Sequence, residues 1–121
     1  MTNQILGRRG EDIAVRFLQG KGYQILERNF KCKLGEIDLV AKDKNTYCFI
    51  EVKTRQSLEY GYPFEAVGYY KQRKIAQLAL SYLKYRFQSV DIPSRFDVIS
   101  IHWDANGQEQ VQHFVNAFDR S

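Results

Sequence analysis

Cysteine and histidine are scarce in this chain of 121 residues, which has two of each. Cys32 and Cys48 are too few for a disulfide framework or for a zinc site with four thiolate ligands. His102 and His113 lie too far apart in the sequence for the usual ligand spacing. The composition therefore excludes the commonest zinc-binding and disulfide-rich classes, and we expect two reduced thiols in a cytoplasmic protein.

Long hydrophobic runs are absent as well. Charged residues interrupt every apolar stretch before it reaches the ~18 residues that a membrane helix needs, and residues 1–10 contain no apolar core of a signal peptide. Only two prolines occur, and no linker, repeat or low-complexity tract divides the chain. We therefore expect one domain over residues 1–121 and no association with a membrane.

Positive charge is in modest excess. The chain has 18 Lys and Arg against 14 Asp and Glu, a formal net charge of +4, and 44% of its residues are hydrophobic. Such a chain can bury a core, and its basicity is compatible with an anionic partner. Charge alone does not distinguish nucleic acid from the absence of any anionic partner.

Hydrophobic periodicity and turn residues predict two helices and five strands. In chain order, the predicted elements are a helix at 5–21, strands at 23–30, 36–42 and 46–54, a helix at 69–86, and strands at 95–103 and 110–118. Turns are predicted at 43–45 and 106–107, and a loop at 57–63. The order α-β-β-β-α-β-β predicts a mixed β-sheet flanked by helices, an α/β (α+β) fold.

Acidic residues lie inside two of these predicted strands. Asp38 lies among alternating apolar residues at 36–42, where Ile37, Leu39 and Ala41 are expected on one face and Glu36 and Asp38 on the other. A buried charge without a partner is costly, so the acidic residues require an explanation.

The turn at 43–45 brings the second acidic residue, Glu51, near the first. It makes the two strands antiparallel neighbours, and the residue opposite Glu51 falls near position 37, within one or two residues of Asp38. Glu51 and Lys53 share a face because strand side chains alternate. The sequence therefore predicts that two carboxylates and an ammonium group converge.

Two interpretations of this convergence remain open. Hard Mg²⁺ is typically held by one or two carboxylates together with water and phosphate oxygens, and a neighbouring lysine can act on the attacking water or on the charge developing at phosphorus. Alternatively, Asp38 or Glu51 forms a cross-strand salt bridge with Lys53 on a solvated face of the sheet.

Two helical residues extend the pattern. Glu11 borders the apolar face of the first predicted helix, and Gln72 precedes the apolar stripe of the long helix. Each alone is also compatible with an ordinary boundary position. Together they would add a third carboxylate and an amide to the same face of the sheet.

These residues resemble a known motif. Asp38 followed by Glu51-Val52-Lys53 resembles the metal-binding motif of the PD-(D/E)XK nuclease superfamily, and Glu11 and Gln72 match accessory positions of its Holliday-junction-resolvase-like branch. The similarity is closest to the YraN family of small bacterial proteins predicted to be nucleases. It rests on residues 7–11, 28–30, 35–40, 49–55 and 95–98. Ile37 replaces the proline that names the superfamily motif.

The resemblance implies a restriction-endonuclease-like fold and a metal-dependent endodeoxyribonuclease, with branched or damaged DNA among the expected substrates. It assigns Mg²⁺ or Mn²⁺ to Asp38, Glu51 and Glu11, the nucleophile or the developing charge to Lys53, and the orientation of water to Gln72. The alternatives are a non-catalytic nucleic-acid-binding module with a nuclease fold and a protein-interaction domain in DNA processing.

A cluster of basic residues lies close to the predicted site in the sequence. Its members are Arg55, Lys71, Arg73 and Lys74, with Tyr69 and Tyr70 next to them. Beside a nuclease site, the cations are predicted to bind the DNA backbone and the tyrosines to stack on unpaired bases. A solvated helix face is the alternative.

The last two predicted strands allow two interpretations. Their apolar hairpin can form a two-fold homodimer, which would supply the two sites that a symmetric cut of a DNA junction needs. The same apolar positions can instead cover the sheet of a monomer. Asp97, inside the first of these strands, is interpreted as structural, in a pair with Arg95 or with a residue of a neighbouring strand.

Overall fold

The computed structural model describes residues 3–55 and 68–118. Its elements are α1 (Asn3–Gly20), β1 (Gln24–Cys32), β2 (Gly35–Asp43), β3 (Thr46–Arg55), α2 (Tyr69–Phe87), β4 (Ser94–Trp103) and β5 (Glu109–Phe118). The predicted order is confirmed, and every boundary lies within two residues of its predicted position. The loop predicted at 57–63 lies outside the described residues.

The five strands form one mixed sheet in the order β1-β2-β3-β4-β5. All neighbours pair antiparallel except β3 and β4, which pair parallel. Parallel neighbours need a crossover connection, and α2 lies in the connection between these two strands. The carboxyl ends of β3 and β4 therefore lie side by side, at the end of the sheet that holds Lys53 and Arg55.

Within the described part of the chain, one helix covers each face of the sheet. Ile75, Leu78 and Tyr82 of α2 pack with Phe49 and Val98 on one face. The α1 residues Ile13, Ala14 and Leu18 pack with Ile50 and Ile99 on the other face. Phe114 and Phe118 of β5 also pack against the α2-side core. Neither helix in the described part of the chain is long and apolar enough to cross a membrane.

The alternation predicted for β2 is wrong at one point. Ile37 packs in the α2-side core, whereas Leu39 and Ala41 pack in the α1-side core. Beside this point on β1, Asn29 has a left-handed φ of 55°. Such a residue interrupts regular pleating, and the β1–β2 register omits Asn29 and Asp38. The prediction that Ile37 shares a face with Leu39 and Ala41 is therefore wrong, because it assumed unbroken alternation.

A buried polar network supports the structural interpretation of Asp97, whose side chain is fully buried. It accepts hydrogen bonds from Arg95 Nε at 3.1 Å and from the Asn116 N–H at 2.9 Å. His113 Nε2 lies 2.8 Å from its other oxygen. Arg95 also contacts Asp43, so the network ties β4 to both β5 and the β2–β3 hairpin.

Candidate functional site

Asp38 lies where the β2–β3 ladder ends. The antiparallel register runs from Asp43 opposite Thr46 to Leu39 opposite Ile50. One step further, Asp38 Oδ2 accepts a hydrogen bond of 2.8 Å from the Val52 N–H. A side-chain carboxylate thus replaces a main-chain partner, and the same register places Asp38 beside Glu51. The proximity predicted from the turn is confirmed.

Glu51 is buried and contacts two lysines. Its side chain is 7% exposed, and its Oε1 lies 2.6 Å from Lys71 Nζ and 3.6 Å from Lys53 Nζ. The predicted approach of Lys53 to Glu51 is therefore confirmed. Lys71 comes from the first turn of α2. The sequence assigned it to the DNA backbone, whereas the structure makes it a member of the carboxylate cluster.

The cluster shifts the protonation of its members. Burial, reinforced by the negative charge of Glu51, raises the pKa of Asp38 to about 7, despite the hydrogen bond from Val52. Burial and the neighbouring Lys71 lower the pKa of Lys53. Burial also lowers the pKa of Lys71, but the hydrogen bond to Glu51 opposes this effect, and the pKa of Lys71 is raised overall. Of the two lysines, Lys53 is therefore the one that more readily loses a proton.

Glu11 lies at the margin of this cluster. Its Oε1 accepts a hydrogen bond of 3.1 Å from Asn29 Nδ2, and its charge contributes to the raised pKa of Asp38. Among residues 3–55 and 68–118, no three Asp, Glu, His or Cys side chains are grouped so as to hold a metal ion. The structure therefore brings Asp38 and Glu51 together and leaves Glu11 bonded to the same Asn29 that interrupts β1.

A close helix–strand contact positions Glu11. Gly10 of α1 is buried against Thr54 of β3, and a Cβ at position 10 would overlap Thr54 Cγ2 and lie 3.2 Å from Thr54 Cβ. Only a glycine allows α1 this close to the end of β3. The next residue is Glu11, so this contact sets how near its carboxylate comes to Asp38.

Replacing Gly10 by alanine should therefore destabilise the protein by about 1–3 kcal/mol, because α1 must move away from Thr54. Urea unfolding measures this loss. Gly7→Ala is the matched control, since it lies in the same helix and a Cβ there meets no atom within 4 Å. It should be neutral or slightly stabilising, because alanine favours the helix. Equal effects of the two substitutions would contradict the close contact.

Polar residues of β4 that the sequence analysis did not assign to the site lie next to its β3 residues. In the parallel register, Lys53 lies opposite Ser100 and Arg55 opposite His102. Ser100 Oγ, His102 Nδ1 and Arg55 Nε are buried and have no hydrogen-bond partner within the described part of the chain. The alternation of side chains along a strand predicts that Ser100 and His102 share one face of β4. Their position next to Lys53 and Arg55 follows only from the parallel pairing of β3 and β4.

The remaining predicted residues lie on α2. Gln72 is half-buried in the first turn, directly after Lys71, and its N–H donates to the Gly68 carbonyl at 2.9 Å. Arg73 and Lys74 are exposed. No acidic residue occurs in this first turn. The N-terminal end of α2, which is the positive end of its dipole, thus lies near the carboxylate cluster and carries cations as well.

Among solved structures, the chain is similar to SfsA of Pyrococcus furiosus, described in complex with Ca²⁺. The identity is 13% and the TM-score 0.44, over 93% of this chain and 64% of that chain. This likeness is too distant to support an argument about the site.

Sequence relatives are much closer. The chain is 49% identical over 119 residues to a UPF0102 protein of Geobacter metallireducens, covering 98% of this chain and 96% of the relative. It is 45% identical to a UPF0102 protein of Caldicellulosiruptor saccharolyticus, covering 98% of this chain and 100% of the relative. The model of UPF0102, described as an uncharacterised protein family, matches residues 10–101. The chain belongs to the UPF0102 family.

Proposed function

We propose that this protein is a metal-dependent nuclease that hydrolyses phosphodiester bonds in DNA, with the PD-(D/E)XK chemistry that its motif resembles. One observation carries the proposal. Asp38 and Glu51 lie side by side on neighbouring strands, largely removed from water, and Lys53 Nζ lies 3.6 Å from Glu51. A buried glutamate and a half-buried aspartate beside a lysine of lowered pKa are typical of a reactive site.

The donor set suits a hard divalent cation. Mg²⁺ prefers oxygen ligands and takes one or two protein carboxylates, with water and substrate phosphates as its other ligands. Asp38 and Glu51 supply that number. Burial, followed by the negative charge of Glu51, raises the pKa of Asp38 to about 7, and a divalent cation would offset both effects by favouring the ionised carboxylate. Glu11 would join as a third carboxylate through Oε2, because its bond to Asn29 uses Oε1.

The cation, when bound, supplies positive charge that polarises the phosphodiester and acidifies water. The lysines divide the remaining work. Lys53 has the lowered pKa and is suited to accept or give a proton at Nζ. Lys71 keeps its charge, and its ammonium group can exchange Glu51 for a phosphate oxygen of the substrate. Gln72, which follows Lys71 in the first turn of α2, would orient water through its amide.

One contact favours a second function, that of a nucleic-acid-binding module without catalysis. Lys71 Nζ lies 2.6 Å from Glu51 and already supplies a positive charge to the buried carboxylate. A protein with that ion pair can fold without a metal ion. Its basic residues could then bind the DNA backbone without cutting it.

Cleavage assays separate the two functions. A panel of duplex, single-stranded, flap and four-way-junction DNAs should be incubated with Mg²⁺ or Mn²⁺ and with EDTA. We expect cleavage only with the metal, its loss in Glu51→Gln and its retention in Glu36→Gln. Glu36 is a suitable control because it is an exposed glutamate of β2 that pairs only loosely, at 3.9 Å, with Lys31. Binding without cleavage under every metal condition would overturn the nuclease in favour of the binding module.

A further inference from the structure

A basic groove opens beside the carboxylate cluster, between the β1–β2 turn and the start of α2. Its volume is about 510 Å³. We call it the turn–helix groove, and its lining includes Lys33, Leu34, Tyr69, Tyr70, Arg73 and Lys74. Three of these residues are cations, and none of the described residues that line the groove is acidic. The groove is therefore complementary to a polyanion.

Two adjacent aromatic rings are presented to solvent at this groove. Tyr69 is 68% exposed and Tyr70 is 82% exposed. The Arg73 guanidinium lies 5.8 Å from the centroid of the Tyr69 ring, so a cation is held against one ring. Exposed aromatic rings among cations are the means by which proteins bind unpaired bases, since each base offers a face for stacking while its phosphate meets a positive charge.

Each wall of the groove is formed by a segment that also contributes a residue to the carboxylate cluster. On α2, Tyr70 immediately precedes Lys71, which contacts Glu51. On the other wall, the turn leads into Gly35, three strand residues or about 10 Å from Asp38. The Lys74 side chain lies across Gly35, where a Cβ would be 3.3 Å from its Cε. The turn is thus packed against α2, and the two walls are held together.

We propose that the turn–helix groove binds single-stranded DNA and that it selects substrates with an unpaired arm over continuous duplex. In a duplex the bases already stack on one another, so the two tyrosines could not stack on them. The inference deepens the proposed function by naming its substrate class, but binding in the groove does not itself require cleavage.

Equilibrium binding of a fluorescently labelled oligothymidine, measured by anisotropy in EDTA, tests the proposal. Replacing Tyr70 by alanine should weaken binding about 5–100-fold through the loss of one stacked base, and Tyr69→Ala/Tyr70→Ala should weaken it further. Tyr85→Ala is the matched control. Tyr85 is 78% exposed on the same helix, but lies 16 residues or about 24 Å along it from Tyr69. Its replacement should leave binding within a factor of two.

Salt and duplex DNA complete the experiment. Replacing Lys33 and Lys74 by alanine should lower the slope of log affinity against log salt by about one to two, since each lost phosphate contact removes roughly 0.7 from the slope for a single strand. A matched duplex should bind more weakly than the oligothymidine and respond little to Tyr70→Ala. Equal effects of Tyr70→Ala and Tyr85→Ala, or a duplex bound as tightly as the single strand, would overturn the groove. The binding assay contains no metal ion, so its failure would not affect the cleavage assay that tests the nuclease. Conversely, binding in the groove without any cleavage would contradict the proposed nuclease activity and leave the proposed binding site intact.

Discussion

Replacing Asp38 by asparagine should lower metal-dependent cleavage by at least about 10³-fold and should also stabilise the metal-free protein at neutral to alkaline pH. Activity falls because one of the two carboxylates proposed to hold the metal becomes neutral. Stability rises because asparagine can still accept the hydrogen bond from Val52 while removing a charge that is withdrawn from water and repelled by Glu51. If Asp38 served only to stabilise the fold, its replacement would lower stability and activity together instead of raising one and lowering the other.

The stability gain should depend on pH. The pKa of Asp38 is about 7 in the folded protein and lies near its ordinary value of 3.8 in the unfolded chain. Between these values the folded state holds the proton more tightly, so the wild type loses stability as the pH rises from about 4 to 7. An asparagine side chain at this position does not titrate. The variant should therefore gain little at pH 4 and about 1–3 kcal/mol at pH 8.

Urea unfolding in EDTA at both pH values, combined with calorimetric titration of Mn²⁺ at pH 8, measures these effects. Asp12→Asn is the control, because Asp12 is an exposed carboxylate of α1 that pairs with Arg28 instead of with an acid. It should retain cleavage and show no gain in stability. Unchanged Mn²⁺ binding in Asp38→Asn would contradict the metal assignment, and a stability loss at pH 8 would contradict the repulsion between the two acids.

Asp97→Ala should lower the free energy of unfolding by about 3–5 kcal/mol, the usual effect of breaking a buried ion pair. Arg95 would keep Asp43 as a partner but lose its contact with the fully buried carboxylate. His113 and the Asn116 N–H would lose their acceptor as well. The site residues lie elsewhere on the sheet, so variants that remain folded should keep their affinity for Mn²⁺.

Acid should reduce this difference. Burial alone would raise the pKa of Asp97, but hydrogen bonds from His113, Asn116 and Arg95 prevail and lower it. A lowered pKa stabilises the fold above the ordinary value near 3.8, and the stabilisation is lost as the pH falls through the folded pKa. Wild type and variant should therefore converge below about pH 4. Asp91→Ala, an exposed control, should change stability by less than about 0.5 kcal/mol. If Asp97→Ala also lowered the free energy of unfolding by less than about 0.5 kcal/mol, the stabilising role of the buried network would be contradicted.

Most of the fold could be predicted from local sequence patterns. Apolar periodicity indicated both helices, and turn residues indicated the two hairpins, because each depends on neighbours within a few positions. The approach of Asp38 to Glu51 was predictable for the same reason, since a tight turn fixes the register of the strands that it joins. The chemistry assigned to Asp38, Glu51, Lys53 and Gln72 stays a prediction.

Contacts set by tertiary packing were not predictable. The ion pair of Lys71 with Glu51 depends on how α2 docks on the sheet, which no local pattern specifies. The position of Ser100 beside Lys53 depends on the parallel pairing of β3 and β4 across the α2 connection. The change of face between Ile37 and Leu39 lies beside the left-handed backbone of Asn29, a conformation that asparagine tolerates but does not impose.

The β2–β3 hairpin also has a consequence for the order of folding. Its turn is only two residues long, at Lys44 and Asn45, and hairpins of this kind form within about 1–10 μs. Asp38 and Glu51 can therefore meet early, while both are still hydrated and repel each other weakly. The repulsion becomes strong only when α2 docks and excludes water, and the same helix delivers Lys71 as the counterion. Docking of α2, not formation of the hairpin, should thus be the folding step whose rate responds to pH between about 4 and 7.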